Sequence, residues 1–591
     1  MFTRTSSLLL LTLANALPSF ASPVPEILNV SGADWRALNA SVGGRLRVLR
    51  PLAEPCYLSY EANIPGGIPS LHTPDQEVCK IAQDNRRNVD FISSQPAAYH
   101  NPYHGTCMTN GHGCPLTKLV VNNGTCYQGN LPDYYIDVRK VSDVQAGLKF
   151  AAKHRIPVVV KNTGHDFKGR SAGARSLALW TFNLKPAIKL SKDFKADRCR
   201  DCDGAALTYG AGQGFQGIYD FAHTKGYMAL GGACPTVGAS GGYITGGGHS
   251  LLTPAHGLGV DNVLQVKVVL PNGRYVTANR CQNQDIFFAV RGGGGASFGV
   301  IIETTARVFR EVPLQMAVIA FKGSLNKEAT SILVDNGVKW AKDGWGGYVA
   351  SLGDGSSIML AITPKLNLRD AKRSMKELID YAQPRNDGSL RFGVDVTTVK
   401  NYWDFLQTPA IQYIGALVNG ISIAQASRLV TDRNFNSKGK RQELTEVLTS
   451  LPYGLNMVTP YAFNLPKSDR PGGPGEASVT PAWRKAIWHV VMQKAWDFDG
   501  QTEHPPEFFV DRLRQASEMV QPLRDITPDG GAYQNEADAY EPNHIDSFWG
   551  RKNYDRLLRI KKQVDPNNLL TCHQCVGANP NDSRLSCYPQ I

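Results

Sequence analysis

Three glycine-rich stretches fall within one block of the chain: GHDFKGRSAG at 164–173, GGACPTVGASGGYITGGGH at 231–249 and RGGGGASFG at 291–299. Glycine loses more conformational freedom on folding than any other residue, so such density marks backbone that must approach something closely. Backbone N–H groups without side chains in the way form anion-binding concavities. A dinucleotide lying across all three loops would use them well. The single literal GxGxxG, at Gly212, Gly214 and Gly217, lies between a strand-like ALTYG and a helix-like FQGIYDF. A nicotinamide fingerprint also wants an acidic residue about 20 positions further on. The corresponding stretch, CPTVGASGG, has none. The motif reads as a tight strand-to-helix turn.

The texture around the loops predicts the architecture. YYIDV, IPVVVKN and SLALWTF read as strands, with VSDVQAGLKFAAKH as an amphipathic helix after the first. VLQVKVVLPNGRYVTAN reads as a hairpin with an Asn-Gly turn. Strands alternating with helices imply layered α/β structure in this block. Beyond about 313 glycine thins out, and apolar strands (MAVIAF, GYVASL, SIMLAIT) alternate with helical stretches such as LRDAKRSMKELIDYA. The expected fold class is α+β. Its parts are a leader at 1–21, a cysteine-containing cap at 22–127, a glycine-loop domain at 128–312, a second domain with an antiparallel sheet at 313–520, and a last segment at 521–591. GGPGEASVTP (472–481) reads as a surface loop or linker.

The leader MFTRTSSLLLLTLANALPSFA has one arginine, a short apolar stretch and small residues at its end, the pattern of a secretory signal. No run elsewhere approaches the roughly 20 apolar residues of a membrane helix. Secretion places the 12 cysteines in an oxidising compartment, where most should pair. Cys572 and Cys575 are expected to be disulfide-bonded, with connectivity left open by the sequence; zinc would want a second ligand pair. Sequons at Asn29, Asn39, Asn123 and Asn581 fit secretion. The formal charge of +12 is spread over short, broken tracts such as KGKR (438–441), with no basic-aromatic reading surface, so a nucleic-acid partner is not expected.

These residues together resemble a known family. Lys161-Asn162-Thr163-Gly164-His165-Asp166, Gly232 through Gly238, Arg291 through Gly299, and the C-terminal Tyr533-Gln534-Asn535, Phe548-Trp549-Gly550 and Asp565-Pro566 resemble the FAD-linked oxidases of the vanillyl-alcohol oxidase superfamily, in its berberine-bridge-enzyme-like branch. The resemblance covers about 130–310 and 530–570 well, the middle loosely and the cap poorly. It implies a PCMH-type FAD-binding domain in two subdomains, formed by 128–312 and a C-terminal segment, 521–591, that returns to it, with 313–520 as the substrate-binding domain. It also implies FAD bound covalently, through His165 to the flavin 8α carbon and through Cys234 to C6. Lys161, Asn162, Thr163, Gly164, Asp166, Ser171, Gly232, Thr236, Gly238, Gly242, Gly299, Val300, Ile301, Tyr533 and Asn535 would complete the cofactor site, with no metal. With Cys234 spent, eleven cysteines remain, so at least one more thiol, with Cys281 as a candidate, should be unpaired or bridged to another chain.

The resemblance further implies an oxidase that moves hydride from an alcohol-type small molecule to flavin N5 and then to molecular oxygen, giving hydrogen peroxide. Sugars, phenolics and secondary metabolites remain open as substrates, and a monomer is expected. Tyr533 is the first candidate for the base, although its hydroxyl could equally serve only to orient. The plant members' glutamate base has no match, and their Asn-Tyr-Arg-Asp run is here Asn535-Glu536-Ala537-Asp538. His249 reads as packing near the cofactor or bonding within its loop. Val237, three places after Cys234, falls where the family gates oxygen; valine there accompanies oxidases and leucine dehydrogenases. A quinone-linked dehydrogenase and a flavin-retaining binding protein are the alternatives.

Overall fold

The computed structural model describes residues 30–63, 69–119, 121–295, 297–416, 420–496 and 504–591. The leader at 1–21 and the sequon residue Asn29 lie outside the described residues. The fold is mixed α+β, with three principal sheets.

The first sheet has strand order Leu46–Val48, Tyr134–Asp137, Leu177–Trp180, Val158–Lys161. Its last three strands are parallel, which requires a crossover, and the helix Val141–His154 supplies it. Asp143 starts that helix by accepting from the backbone N–H groups of Arg139 and Lys140 at 3.0 and 3.2 Å. Val144, Leu148 and Ala151 then turn inward onto Ile136 and Leu179. Leu46–Val48 pairs antiparallel with Tyr134–Asp137, so part of the region read as a cap is built into this sheet.

The second sheet runs Tyr275–Asn279, Val263–Val269, Val300–Arg310, Gly204–Gly210, Lys189–Phe194, with Tyr227–Ala229 also paired to Val300–Arg310. It is antiparallel throughout. Layered α/β alternation is therefore confined to the first sheet. A short turn such as the one through Asn272 and Gly273 can join only antiparallel neighbours. Gly214 caps the helix Phe215–Thr224 directly after Gly204–Gly210, the tight turn read from the GxGxxG.

The third sheet has seven antiparallel strands, in the order Val394–Val399, Leu314–Lys322, Ser356–Thr363, Gly346–Ser351, Tyr453–Met457, Ala486–Trp496, Ser422–Thr431. The two-residue period of a strand sorts its faces. Val349, Ala424, Ala426, Leu455, Val490 and Met492 pack with residues of the helices Lys327–Lys342, Leu368–Ala382 and Pro506–Ile526 in one apolar core. Their neighbours Tyr348, Gln425, Asn456, Val491 and Gln493 line a cavity on the opposite side. The boundary expected at 520/521 falls inside Pro506–Ile526, whose Val520 and Leu523 belong to this core.

Two expectations are corrected. The stretch 472–481 is not simply a surface loop: Ser478, Val479 and Thr480 are buried. Ser478 N–H donates to Arg291 O at 2.9 Å and Thr480 N–H to Phe548 O at 3.1 Å. Cys281 is not an odd thiol, because it pairs with Cys199 across 82 residues. The odd thiol is Cys202, which only the folded approach of Cys199 to Cys281 could reveal. The other disulfides are Cys56–Cys79, Cys107–Cys587, Cys114–Cys126 and Cys572–Cys575. Cys107–Cys587 ties the N-terminal region to the C-terminal end. No described helix is long and apolar enough to cross a membrane.

The helix Arg551–Val564 carries the returning segment onto the third glycine loop. Its Lys561 is buried, with the ammonium donating to Asp565 Oδ2 at 2.7 Å, to Ser297 O at 2.8 Å and to Leu570 O. Removing one partner of a buried pair costs about 3–5 kcal/mol, because the other charge stays desolvated. Lys561→Ala should lower stability by about that amount in denaturant unfolding. Lys561→Ala/Asp565→Ala, which removes both charges, should lose less.

Candidate active site

The cavity between the glycine loops and the third sheet has a volume of about 860 Å³, towards the upper end of ligand pockets at about 300–1,000 Å³. One wall is the first glycine loop, which leaves Val158–Lys161. Gly164 has φ +86°, and a Cβ there would stand 2.8 Å from Ala98 O, so only glycine fits. The turn this permits carries Asn162, Thr163, Gly164, His165, Asp166 and Ser171 to the cavity. Asp166 braces it, accepting from Ser171 N–H and Ser171 Oγ, both at 2.7 Å.

The second wall holds Gly232, Cys234, Val237, Gly238 and Gly242. His165 and Cys234, 69 residues apart, meet with Nε2 and Sγ separated by 3.7 Å. Thr236 Oγ1 lies 2.7 Å from the same nitrogen. Burial, reinforced by the Lys161 charge, pushes the His165 pKa down to about 3. The imidazole is therefore neutral at ordinary pH, with a lone pair to offer. His100 stacks on it, ring centroids 3.5 Å apart. Gly299, Val300 and Ile301 form the third wall.

Of the residues expected at the cofactor, Lys161 and Thr236 do not line the cavity. Lys161 sends its ammonium to Gln95 O at 3.0 Å, and burial pushes its pKa down to about 7. Thr236 acts through its contact with His165.

The returning segment closes the site. Asn535 Nδ2 donates to Gly242 O at 2.6 Å and to Tyr533 Oη at 2.8 Å, while its Oδ1 accepts from Arg170 at 2.5 Å. Burial, then the Glu536 carboxylate, push the Tyr533 phenol pKa up, which suits orientation better than proton abstraction.

Next to it stands a group that the sequence reading did not assemble. Glu536 Oε1 and Oε2 lie 2.9 Å from His249 Nε2 and 2.7 Å from His489 Nε2. His249 thus bonds out of its loop rather than within it. Glu536 occupies the place where the sequence departs from the plant pattern, and that departure was the only signal for it. Arg170, Gln425 and Gln493 also line the cavity; nothing in their local sequence distinguishes them.

These residues fit FAD. A Cβ on Gly242 would meet nothing within 4 Å, so that backbone faces open cavity. Asn162 Oδ1 is buried with no hydrogen-bond partner, as expected of a group awaiting a ligand. The glycine-walled cleft against an antiparallel sheet defines a flavin-dependent oxidoreductase.

Comparison with known proteins agrees. Residues 132–279 match the family described as "FAD binding domain", and 532–577 that described as "Berberine and berberine like". An FAD-linked oxidoreductase of Aspergillus flavipes is 33% identical, over 92% of this chain and 92% of that one. A VAO-type flavoprotein oxidase of Thermothelomyces thermophilus is 32% identical, over 93% and 91%. The crystal structure of the VAO-type flavoprotein MtVAO615 from Myceliophthora thermophila aligns with a TM-score of 0.76 at 28% identity, over 95% of this chain and 97% of that one. The chain belongs to the berberine-bridge-enzyme-like branch of the vanillyl-alcohol-oxidase-type FAD-linked oxidoreductases.

The closing contact yields a test. A Cβ on Gly246 would stand 2.2 Å from Asn535 Nδ2. Gly246→Ala should push Asn535 off the second loop and lower the flavin-to-protein absorbance ratio of the purified enzyme at least severalfold.

Proposed function

We propose that the protein is a secreted oxidase carrying FAD on two covalent bonds, one to His165 and one to Cys234. The observation that carries this reading is their convergence at 3.7 Å on the cavity wall. A neutral imidazole and a thiol outside the five disulfides are the nucleophiles such bonds need. Residues 128–312 and the returning segment 521–591 hold the cofactor: Asn162, Thr163, Gly164, Asp166, Ser171, Gly232, Gly238, Gly242, Gly299, Val300 and Ile301 line it, and Asn535 closes it. Lys161 and Thr236 support it from behind. Residues 313–520 present Tyr348, Gln425 and Gln493 to an alcohol-type substrate, be it a sugar, a phenolic or a secondary metabolite. Bound FAD supplies a two-electron acceptor that molecular oxygen can reoxidise, giving hydrogen peroxide. Tyr533 orients within this site. The leader and the five disulfides support secretion, and the sequon residues Asn123 and Asn581 are exposed.

Acid-precipitated protein should stay yellow, and its flavin peptides should contain both His165 and Cys234. His165→Ala and Cys234→Ala should each keep a singly tethered flavin that substrate reduces more slowly. Release of all flavin into the acid supernatant would overturn the linkage.

Val237 lines the cavity three residues from Cys234, and an extra methylene there would narrow a passage sized for a diatomic molecule. Val237→Leu should slow flavin reoxidation by oxygen at least tenfold, about 1.4 kcal/mol of barrier, with reduction by substrate nearly unchanged. Slow wild-type reoxidation together with turnover restored by a quinone would identify a dehydrogenase. A yellow protein silent across sugars, phenolics and secondary-metabolite alcohols would identify a binding protein.

A further inference from the structure

We infer that Gly454 sets the substrate choice of this enzyme. Its missing side chain leaves a floor for an uncharged ring alcohol with an apolar face, held at its edges by Tyr348 and Asn456 on one flank and Gln493 on the other. The inference rests on the oxidase reading for the reaction, and on the third sheet for the rest.

Glycine inside a strand weakens it, and marks a bulge, a bend, or a place where another backbone or a ligand comes close. The strands Gly346–Ser351 and Tyr453–Met457 contain three glycines. Two have neighbours that demand them: a Cβ on Gly346 would run into Leu251 O, and one on Gly347 into Leu360 O. Gly454 has no such neighbour. A Cβ there would meet only Val491 O at 3.7 Å and Val349 O at 3.9 Å, both ordinary contacts. Its φ lies outside the left-handed region, and the pairing from Tyr453 to Asn456 runs without a register shift. The reason left is the cavity, which Gly454 lines.

The residues around it form a trough. On three neighbouring strands Tyr348, Ala350, Gly454, Asn456, Val491 and Gln493 are partly open and line the cavity. Between them Val349, Leu455, Val490 and Met492 are buried in the opposite core. Gly454 stands opposite Val491 and Asn456 opposite Tyr348. Ala350, Gly454 and Val491 give a low apolar floor, and its flanks, two residues up and two down the strands, are about 13 Å apart. On one flank the Tyr348 hydroxyl and the Asn456 amide have no hydrogen-bond partner among the described residues, and both keep accessible surface. Burial, with Tyr402, Glu536 and Cys234 nearby, pushes the Tyr348 phenol pKa up, so its hydroxyl is a donor. On the other flank Gln425 donates to Glu536 O at 3.1 Å and Gln493 donates to Gln425 Oε1 at 2.7 Å. That chain leaves Gln493 Oε1 as an acceptor.

Such a wall selects by charge and by hydroxyl count. No described lining residue from 313–520 is charged. The charged residues of the other walls are engaged: Asp166 by Ser171, Glu536 by His249 and His489, Arg170 by Gln534 and Asn535. A carboxylate or ammonium lying on the floor would lose its water and gain no countercharge. A sugar carries a hydroxyl on nearly every ring carbon, and those facing the floor would find no partner. A ring with hydroxyls only at its edges meets neither penalty. Of the classes open to this oxidase, the trough therefore fits phenolic and secondary-metabolite ring alcohols rather than sugars.

The test uses flavin-loaded, full-length protein. Binding is read from the perturbation of the flavin spectrum by dihydroxynaphthalene, which has no alcohol carbon to oxidise. Wild-type protein should bind it more tightly than naphthoate or cellobiose. Gly454→Leu, which fills the trough, should weaken that binding about tenfold or more, the scale on which pocket shape discriminates. Gly454→Ala, whose Cβ has room, should fall between. Flavin content and the unfolding midpoint report an intact fold; neither should drop, because a side chain suits a strand better than glycine. Binding within about twofold of wild type in both variants, or naphthoate or cellobiose binding more tightly than dihydroxynaphthalene, would overturn the inference.

Turnover gives a second readout. In peroxide-release assays a hydroxymethyl-naphthol should exceed the matched hydroxymethyl-naphthoate and cellobiose in kcat/KM, and Gly454→Leu should raise its KM more than it lowers kcat. The reverse order of substrates would refute the assignment. If no alcohol reduces the wild-type flavin, the oxidase reading fails on its own, while the binding titration still decides the role of Gly454.

Discussion

The carbonyl of Gly292 accepts hydrogen bonds from the Trp549 indole at 2.9 Å and from the Gln534 amide. Two side chains from the last tenth of the chain thus hold a backbone atom of the third glycine loop. Such loops have no side chains of their own to pack, so their shape must be imposed from outside. Arg291, wholly buried beside Gly292, donates to Val260 O at 2.9 Å and to the carbonyls of Gly475 and Glu476 at 2.5 and 2.8 Å. One knot therefore fixes the glycine run against the short helix Gly259–Asn262, the stretch 472–481 and the returning segment.

The same device recurs around the cavity. Asn535 spans from Arg170 in the first loop to Gly242 in the second. Asn101, from the N-terminal region, pairs both its amide atoms with the backbone of Ile423 in the third sheet, at 2.8 and 2.9 Å. The glycine-loop walls and the third sheet are separate in sequence, and buried amides bridge them. A buried amide without its partners is costly, so each bridge specifies one relative placement of the pieces it joins.

Two electrostatic regimes divide the cavity. At the His165–Cys234 end burial dominates, keeping the imidazole neutral beside a Lys161 ammonium whose own pKa falls to about 7. At the Glu536 end two imidazoles overcome the same desolvation and keep a carboxylate charged. One end of the cavity thus holds a neutral imidazole and the other a charged carboxylate.

The alternation of strands and helices in the first sheet, the three glycine loops and the tight turn at Gly214 were legible in the sequence, and the residue pair His165 and Cys234 through the family that its two loops resemble. Each depends on dihedral preference, on the two-residue or 3.6-residue period, or on a motif within a dozen residues. The pairing of Cys199 with Cys281, the burial of Val479 and the placement of Lys161 behind the loop were not legible, nor was the meeting of His249, His489 and Glu536. Those four rest on contacts between segments up to some hundreds of residues apart. In the sequence Glu536 was only a mismatch within a short motif, and nothing marked His489. Their chemistry exists because the register of the third sheet sets His489 opposite Asn456 and Leu429, on the face that the returning segment covers. Local sequence determines which face of a strand a side chain takes, but only the packed tertiary structure decides what that face meets.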